Sequence, residues 1–192
     1  MNSQQIEFPV PMIGFAAFSG TGKTTLLLKL LPLLKTAGLR IAVVKHAHHS
    51  CEMDQPGKDS YRLRTAGADE MLVAAKCRIG WVRECPEHLE EPRLSEVLSV
   101  LEPDRLDLVL VEGFKAERFP KIELHRPGMG RPLLFPEDTS IVAIATDGGE
   151  LTCDPGGLPR LSLNDPAAVA EFILQFIARD ERLKPDVACQ GL

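Results

Sequence analysis

The stretch Ala17-Phe18-Ser19-Gly20-Thr21-Gly22-Lys23-Thr24-Thr25 combines two glycines, a lysine and neighbouring hydroxyl groups, which is a composition suited to binding phosphate. In a loop of this kind, consecutive backbone N–H groups and the start of a helix converge on one polyanion. The Lys23 ammonium would reach the terminal phosphates, and the Thr24 hydroxyl is placed to ligate Mg²⁺. We therefore predict that the nucleotide phosphates are bound by Gly20, Thr21, Gly22, Lys23, Thr24 and Thr25, with Lys23 in a catalytic role.

This loop needs a strand before it and a helix after it, and the flanking sequence predicts both. Residues 12–18 form a short apolar run typical of a buried strand, and leucines recur at helical spacing from Leu26 to Leu34. The usual motif has glycine where this chain has Ala17, so we expect negative φ at that position. The helix is predicted to run to about Thr36, with Pro32 kinking it or ending it early.

A second stretch supplies a carboxylate. Residues 106–111 are largely apolar and predict a buried strand that ends in Glu112, followed at once by Gly113. A carboxylate at the end of a strand beside a phosphate loop can bind Mg²⁺ or orient an attacking water. We therefore predict that Glu112 is catalytic and that Thr24 and Glu112 hold Mg²⁺; the alternative is a solvated glutamate at a strand end.

Histidines cluster after the next predicted strand, residues 39–45, in the stretch Lys45-His46-Ala47-His48-His49. The carboxyl ends of strands in an α/β sheet border its ligand crevice, so Lys45, His46, His48 and His49 are candidate substrate contacts. Contact with an anion, binding of a metal and a solvated loop all remain open for this cluster. Asp59, in a turn-rich loop further on, is a candidate helix N-cap, with a catalytic or Mg²⁺-linked role as the alternative.

The later part of the chain offers three further features. Asp147 follows an apolar strand at 141–145 and is a candidate to accept hydrogen bonds from guanine, although the Asn-Lys-x-Asp signature of guanine sites is lacking. Arg126 and Arg131 bracket a Pro-Gly turn, where they would face a phosphate or a partner's carboxylates. Lys121 to His125 alternates as an edge strand would, which suggests pairing with a second subunit.

These elements predict an α/β fold of the P-loop NTPase type, with a mostly parallel central sheet flanked by helices and a small β excursion near residues 121–135. We expect one nucleotide-binding domain over residues 1–192, loosely ordered at 1–10 and 184–192. Asp165-Pro166 predicts the start of a last helix.

Composition excludes several classes of protein. A net charge of −5, from 22 basic and 27 acidic residues, argues against a nucleic-acid-binding protein. No apolar run is long enough to span a bilayer, and we expect no membrane association. The five cysteines lack C-x-x-C spacing and indicate reduced thiols in a cytoplasmic protein.

Five stretches together carry a resemblance: AFSGTGKTTLL, KHAHH, DQPGKDSYRLRTAGAD, LDLVLVEGFK and IELHRPGMGRP. In this order they are similar to the molybdopterin-guanine dinucleotide biosynthesis adaptor family, the B protein of that pathway. The resemblance implies a GTP-binding, usually dimeric protein with weak Mg²⁺-dependent GTPase activity. It also implies a partner, the guanylyltransferase that joins GMP to the molybdopterin-type cofactor.

By the same resemblance, Gly20 to Thr25 would hold the nucleotide, Glu112 would face it, and Lys45, His46, His48, His49 and Asp59 would line the neighbouring crevice. A different class remains open beside this one: a small-molecule kinase or a metallochaperone GTPase using the same loop. A kinase needs a basic lid, for which residues 115–121 are the candidate, and a metallochaperone needs metal on the histidine cluster.

Overall fold

We describe a computed structural model covering residues 6–47, 53–85 and 91–179. Its strands and helices in chain order are β1 (Met12–Ala16), α1 (Lys23–Thr36), β2 (Ile41–Lys45), α2 (Asp59–Thr65), β3 (Glu70–Ala75), β4 (Arg78–Arg83), α3 (Leu94–Leu98), β5 (Leu108–Glu112), β6 (Lys121–His125), β7 (Ile141–Thr146), β8 (Arg160–Ser162) and α4 (Pro166–Ala178). They fall into two compact units, one of residues Met1–His46 and Arg93–Leu192 and one of residues Ala47–Pro92. That residues 1–192 form one nucleotide-binding domain remains a prediction.

The first unit is built on a sheet whose described strands are all parallel, in the order β2-β5-β1-β6-β7-β8. Strand β1 lies between β5 and β6, and all five of its residues are buried. A strand covered on both faces needs apolar side chains on both, which explains its unbroken run Met-Ile-Gly-Phe-Ala. The predicted α/β fold with a mostly parallel central sheet is confirmed.

Apolar side chains fill both faces of this sheet. On one face α1 and α4 contribute Leu26, Leu30, Leu34, Val169 and Ile173 to the larger cluster. On the other face α3 and the N-terminal segment pack against the strands, through Leu94, Leu98, Phe8 and Val10. Residues 1–10 were expected to be loosely ordered; 1–5 lie outside the described residues, but Phe8 and Val10 are buried in the core.

The ends of the long helices follow the sequence signals. Asp165 caps α4 by accepting hydrogen bonds from the backbone N–H groups of Ala167 and Ala168, with Pro166 in the first helical position, as predicted. Helix α1 runs to Thr36, as predicted, and of the two effects considered for Pro32 an early end is excluded. Burial of the leucines along one side of α1 offsets the hydrogen bond that proline cannot donate.

The second unit contains α2 and an antiparallel hairpin. Strands β3 and β4 pair from Glu70 opposite Arg83 to Ala75 opposite Arg78. The sequence predicts two short strands here, at residues 71–76 and 81–83, separated by a turn at Arg78-Ile79-Gly80. Both strands are confirmed, but the turn falls at residues 76–77. Among the described residues, this hairpin is a two-stranded sheet separate from the six-stranded sheet of the first unit.

The predicted β excursion near residues 121–135 is wrong. Lys121–His125 is strand β6, paired in parallel with β1 on one side and β7 on the other, and all five of its residues are buried. The polar alternation suggested an exposed face, but these polar side chains are buried, and two of them have partners within the protein. Lys121 pairs with Asp138 at 2.7 Å, and Glu123 accepts backbone N–H groups of Leu134 and Phe135.

Strand β2 lies at one edge of the parallel sheet, beside β5. Its continuous apolar run, Ile41 to Val44, predicts a strand covered on both faces, and this prediction is wrong. Val44 is buried, whereas Val43 is 46% exposed.

In the part of the chain that the structure describes, no helix is long and apolar enough to cross a membrane.

Candidate functional site

The loop between β1 and α1 takes its shape from its two glycines. Gly20 has φ of 79° and Gly22 has φ of 105°, values that favour glycine strongly. Between them, the Thr21 hydroxyl and N–H both donate to the carbonyl oxygen of Phe18, at 2.9 and 3.4 Å. Ala17 is fully buried in the larger core cluster and, as predicted, does not have positive φ.

Lys23 begins α1 and turns back over this loop. Its Nζ donates to the carbonyl oxygens of Ala17 at 3.1 Å and Phe18 at 3.2 Å. Burial and the positive charge of Lys115 lower the pKa of Lys23, against the opposing effect of Glu112. The ammonium is therefore partly desolvated and close to other cations, a position in which an added anion would stabilise its charged form.

Glu112 is the acidic centre of the site. It is the last residue of β5, and the parallel register places Lys45 of β2 opposite it on one side and Phe15 of β1 on the other. Its Oε1 accepts a hydrogen bond from the Thr24 hydroxyl at 3.4 Å, and its Oε2 lies 3.5 Å from Lys45 Nζ. Strand register and helix start thus bring together residues far apart in the sequence.

The oxygens of Thr24 and Glu112 suit a magnesium ion chemically, because Mg²⁺ prefers a few carboxylate and hydroxyl oxygens and keeps several waters. The glutamate side chain is 13% exposed, so it is largely enclosed while its oxygens face the loop. The Lys45 ammonium beside it neutralises the carboxylate in this arrangement. This donor set fits the ion that the phosphate loop implies.

A sharp turn after Glu112 fixes its position. Gly113 has φ of 99°, and Phe114 has φ of 52°, the one positive value at a non-glycine residue in the described ranges. The Phe114 ring stacks on His46 with the centroids 4.7 Å apart, and His46 N–H donates to the Glu112 carbonyl at 2.8 Å. Stacking and burial hold Phe114 in a conformation that costs about 1 kcal/mol or more.

The contact of Arg126 with this loop was not predicted from the sequence. Its Nε donates to the Thr21 carbonyl oxygen at 2.9 Å, and its Nη1 pairs with Asp147 Oδ2 at 2.6 Å. The signal was present, since Arg126 directly follows β6 and Asp147 directly follows β7, neighbouring parallel strands. A cavity of about 90 Å³ adjoins this guanidinium, bordered by Gly22, Thr25, Leu163 and Asn164.

Asp59 does not take the position predicted for it. Asp59 belongs to the second unit, where it is the first residue of α2 and lies 3.6 Å from Arg62. It is not an N-cap, since Lys58 occupies that position with no side-chain cap hydrogen bond.

His48 and His49 lie outside the described residues. Within residues 6–47, 53–85 and 91–179, no group of three or more His, Cys, Asp or Glu side chains is arranged to hold a metal ion.

Comparison with known proteins identifies the family of this chain. Residues 12–147 match the family model described as molybdopterin guanine dinucleotide synthesis protein B. The chain is 43% identical over 171 residues to the molybdopterin-guanine dinucleotide biosynthesis adapter protein of Escherichia coli strain K12, covering 88% of this chain and 95% of that protein. The protein of that name from Haemophilus influenzae strain Rd is 41% identical over 148 residues, covering 77% of this chain and 78% of its own length.

The fold agrees with this result. A crystal structure of molybdopterin-guanine biosynthesis protein B superposes with a TM-score of 0.67 at 25% identity, covering 87% of this chain and 99% of that one. The residues matched by the family model include the glycine-rich loop at 17–25, Lys45, Glu112, Arg126 and Asp147. The chain therefore belongs to the family of molybdopterin guanine dinucleotide synthesis protein B.

Proposed function

We propose that this chain is an adapter in molybdopterin guanine dinucleotide biosynthesis that binds GTP with Mg²⁺ and hydrolyses it slowly. The observation that carries the proposal is the convergence of Lys23, Thr24 and Glu112 at the end of the central strands. The relatives that share most of the chain are named as adapters of that biosynthesis.

The phosphates would be bound by the loop itself. Backbone N–H groups of Gly20 to Thr25 would solvate them, aided by the positive end of α1. Lys23 now donates to two carbonyl oxygens of its own loop, and phosphate oxygens would replace these as stronger, charged acceptors.

The magnesium ion would be held by the Thr24 hydroxyl and by Glu112, directly or through water. The ion would neutralise charge on the phosphates and orient them. Before the ion binds, Lys45 pairs with Glu112, and its ammonium would move from the carboxylate towards phosphate afterwards.

Slow hydrolysis follows from how Glu112 is used. A carboxylate that orients an attacking water must have an oxygen directed at that water. Here the Glu112 oxygens would be engaged by Thr24 and by the magnesium ion, so Glu112 is better suited to holding charge than to activating water. Binding would therefore be the principal activity and turnover the minor one.

Guanine would be recognised beside Arg126. Asp147 uses one carboxylate oxygen for Arg126, and its Oδ1 has no partner among the described residues, so it can accept a hydrogen bond from the base. The cavity bordered by Thr25 and Asn164 adjoins this position and leaves room on that side of the loop.

The partners follow from the family. We propose that the chain assists the guanylyltransferase that joins GMP to the molybdopterin-type cofactor, in the cytoplasm and as a homodimer. The dimer cannot form by pairing along β6, because β6 lies inside the sheet between β1 and β7. Sedimentation at micromolar concentration tests the dimer, and a monomeric mass would remove it from the proposal.

The function is tested in two assays. In the first, GTP, ATP and GDP compete for the purified protein, and we expect ATP to displace GTP poorly. In the second, a guanylyltransferase of the pathway forms the dinucleotide cofactor with and without this chain. We expect product yield to rise with the wild-type chain and not with Lys23→Ala; equal stimulation by both would show that the nucleotide site is not needed.

A further inference from the structure

A pair of cations on the Phe18 side of the phosphate loop is not used by the proposed nucleotide site. Lys115 Nζ lies 5.6 Å from the centre of the Phe18 ring, and Arg131 Cζ lies 5.6 Å from the same ring. The two residues come from different connections, one after β5 and one after β6, and meet at a residue of the loop itself.

Neither cation has a carboxylate partner within the described part of the chain. Lys45 pairs with Glu112, Lys121 with Asp138 and Arg126 with Asp147, whereas Lys115 and Arg131 form no ion pair there. Both are exposed, and their contact with Phe18 is of the weak cation–π kind. Their long side chains can leave the ring to meet a stronger acceptor.

Buried side chains of β6 hydrogen-bond to the backbone of both connections that carry these cations. Lys121, 1% exposed, donates to the carbonyl oxygen of Lys115 itself at 3.0 Å. Glu123, also 1% exposed, accepts from Leu134 at 2.8 Å and Phe135 at 2.9 Å, three and four residues beyond Arg131. Residues 121 and 123 of one central strand therefore each hydrogen-bond to one of the two connections.

We propose that Lys115 and Arg131 form a second anion subsite, which binds a phosphate monoester or another dianion of that type while a nucleotide occupies the loop. Two cations without carboxylate partners match the charge of one phosphate dianion, and the planar guanidinium can donate two hydrogen bonds to its oxygens. The positive charge of Lys115 is also one cause of the lowered pKa of Lys23, which places excess positive charge at this end of the loop.

The inference rests on the proposed nucleotide site and deepens it. An adapter that presents a nucleotide together with a phosphorylated small molecule needs two anion sites, and a protein that only binds GTP needs one. Free phosphate shares the chemistry of the ligand, so the experiment includes both forms.

The test uses full-length protein saturated with Mg²⁺ and a non-hydrolysable GTP analogue, titrated with phenyl phosphate and separately with inorganic phosphate by calorimetry or ³¹P NMR. We expect saturable binding of phenyl phosphate that Lys115→Gln/Arg131→Gln weakens at least tenfold. Affinity for the nucleotide should fall by a clearly smaller factor in that variant, since only the long-range charge at the loop changes. The control Lys76→Gln/Arg118→Gln removes two exposed cations elsewhere and should behave as wild type.

The outcomes separate the two proposals. Tighter binding of inorganic phosphate than of phenyl phosphate would support the subsite and assign it to free phosphate, and the reverse would assign it to an organic monoester. Failure of the analogue to bind the wild-type protein would overturn the nucleotide site. With the analogue bound, absence of a second phosphate, or an equal effect of the control variant, would overturn the subsite alone.

Discussion

The guanidinium of Arg126 donates to the Thr21 carbonyl oxygen, 2.9 Å from its Nε, and so ties the end of β6 to the middle of the phosphate loop. The same side chain pairs with Asp147 at the end of β7. One arginine thus connects the loop proposed to bind phosphate with the acid proposed to bind guanine. Loss of this connection should loosen both together.

We predict that Arg126→Gln lowers GTP affinity roughly tenfold, because a charge-assisted hydrogen bond contributes about 1.5–3 kcal/mol and each decade of affinity is about 1.4 kcal/mol. Arg126→Lys should not restore it, since one ammonium cannot replace the two directed contacts. Calorimetric titration with GTP measures both. Arg118→Gln, an exposed change of the same charge, is the control, and equal affinities for all variants would contradict the role of Arg126.

Glu112 should determine the magnesium dependence of binding. Glu112→Gln is expected to raise the Mg²⁺ concentration needed for half-maximal GTP binding by roughly 10–100-fold, the usual effect of a lost metal-orienting group. Binding without metal should change little, because the phosphates still have Lys23 and the loop. Titration of Mg²⁺ at fixed GTP, with exposed Glu137→Gln as control, measures this. An unchanged Mg²⁺ midpoint would remove Glu112 from the metal site.

The turn after Glu112 should tolerate no side chain. A Cβ added at Gly113 would lie 2.6 Å from the Cβ of His46, and the residue has φ of 99°. We predict that Gly113→Ala lowers the free energy of unfolding by roughly 2–4 kcal/mol, from backbone strain and overpacking together.

Gly67→Ala provides the matched control for that change. Gly67 also has positive φ, 115°, but a Cβ there would meet no atom within 4 Å. Strain alone should cost roughly 1–2 kcal/mol. Urea unfolding of both variants compares them, and equal losses would show that the approach to His46 is not restrictive.

The buried carboxyl of Glu123 should make stability depend on pH. Burial raises the pKa of Glu123, and the hydrogen bonds from Leu134 and Phe135 only partly oppose this. The folded state therefore binds this proton more tightly than the unfolded state, whose value is about 4.5. Its contribution to stability falls as pH rises from that value through the folded pKa.

Glu123→Gln should remove this dependence. The unfolding free energy of the variant, minus that of wild type, should increase as pH rises from about 4.5, whatever the offset caused by the altered hydrogen bonds. Urea unfolding at several pH values from 4 to 8 measures the difference, with Glu137→Gln as a flat reference. A difference that stays constant would mean that the Glu123 pKa is not raised by folding.

The fold, and the strand and helix on either side of the glycine-rich loop, could be predicted from local signals. The apolar run at β1, the glycine spacing and the leucine period of α1 are all read within some 25 residues, and the strand ending in Glu112 needs only its own residues. Asp165-Pro166 is similarly local, and its cap was confirmed.

What could not be predicted depends on strand order and buried charge. Lys121, Glu123 and His125 suggested an exposed edge because polar residues usually face water. Their partners, Asp138 and the backbone at 134–135, lie in a connection that only tertiary structure places over β6. The link between Arg126, Thr21 and Asp147 likewise requires knowing that β6 neighbours both β1 and β7.

The central claim is that the loop at residues 17–25 binds a guanine nucleotide through Lys23. Calorimetric titration of Mg²⁺-GTP into wild-type protein and into Lys23→Ala, folded to the same extent by circular dichroism, tests it directly. We predict one saturable site in the wild type and no measurable binding in the variant, because the phosphates lose their one charged contact from the loop. Equal affinity of the two proteins for GTP would contradict the account.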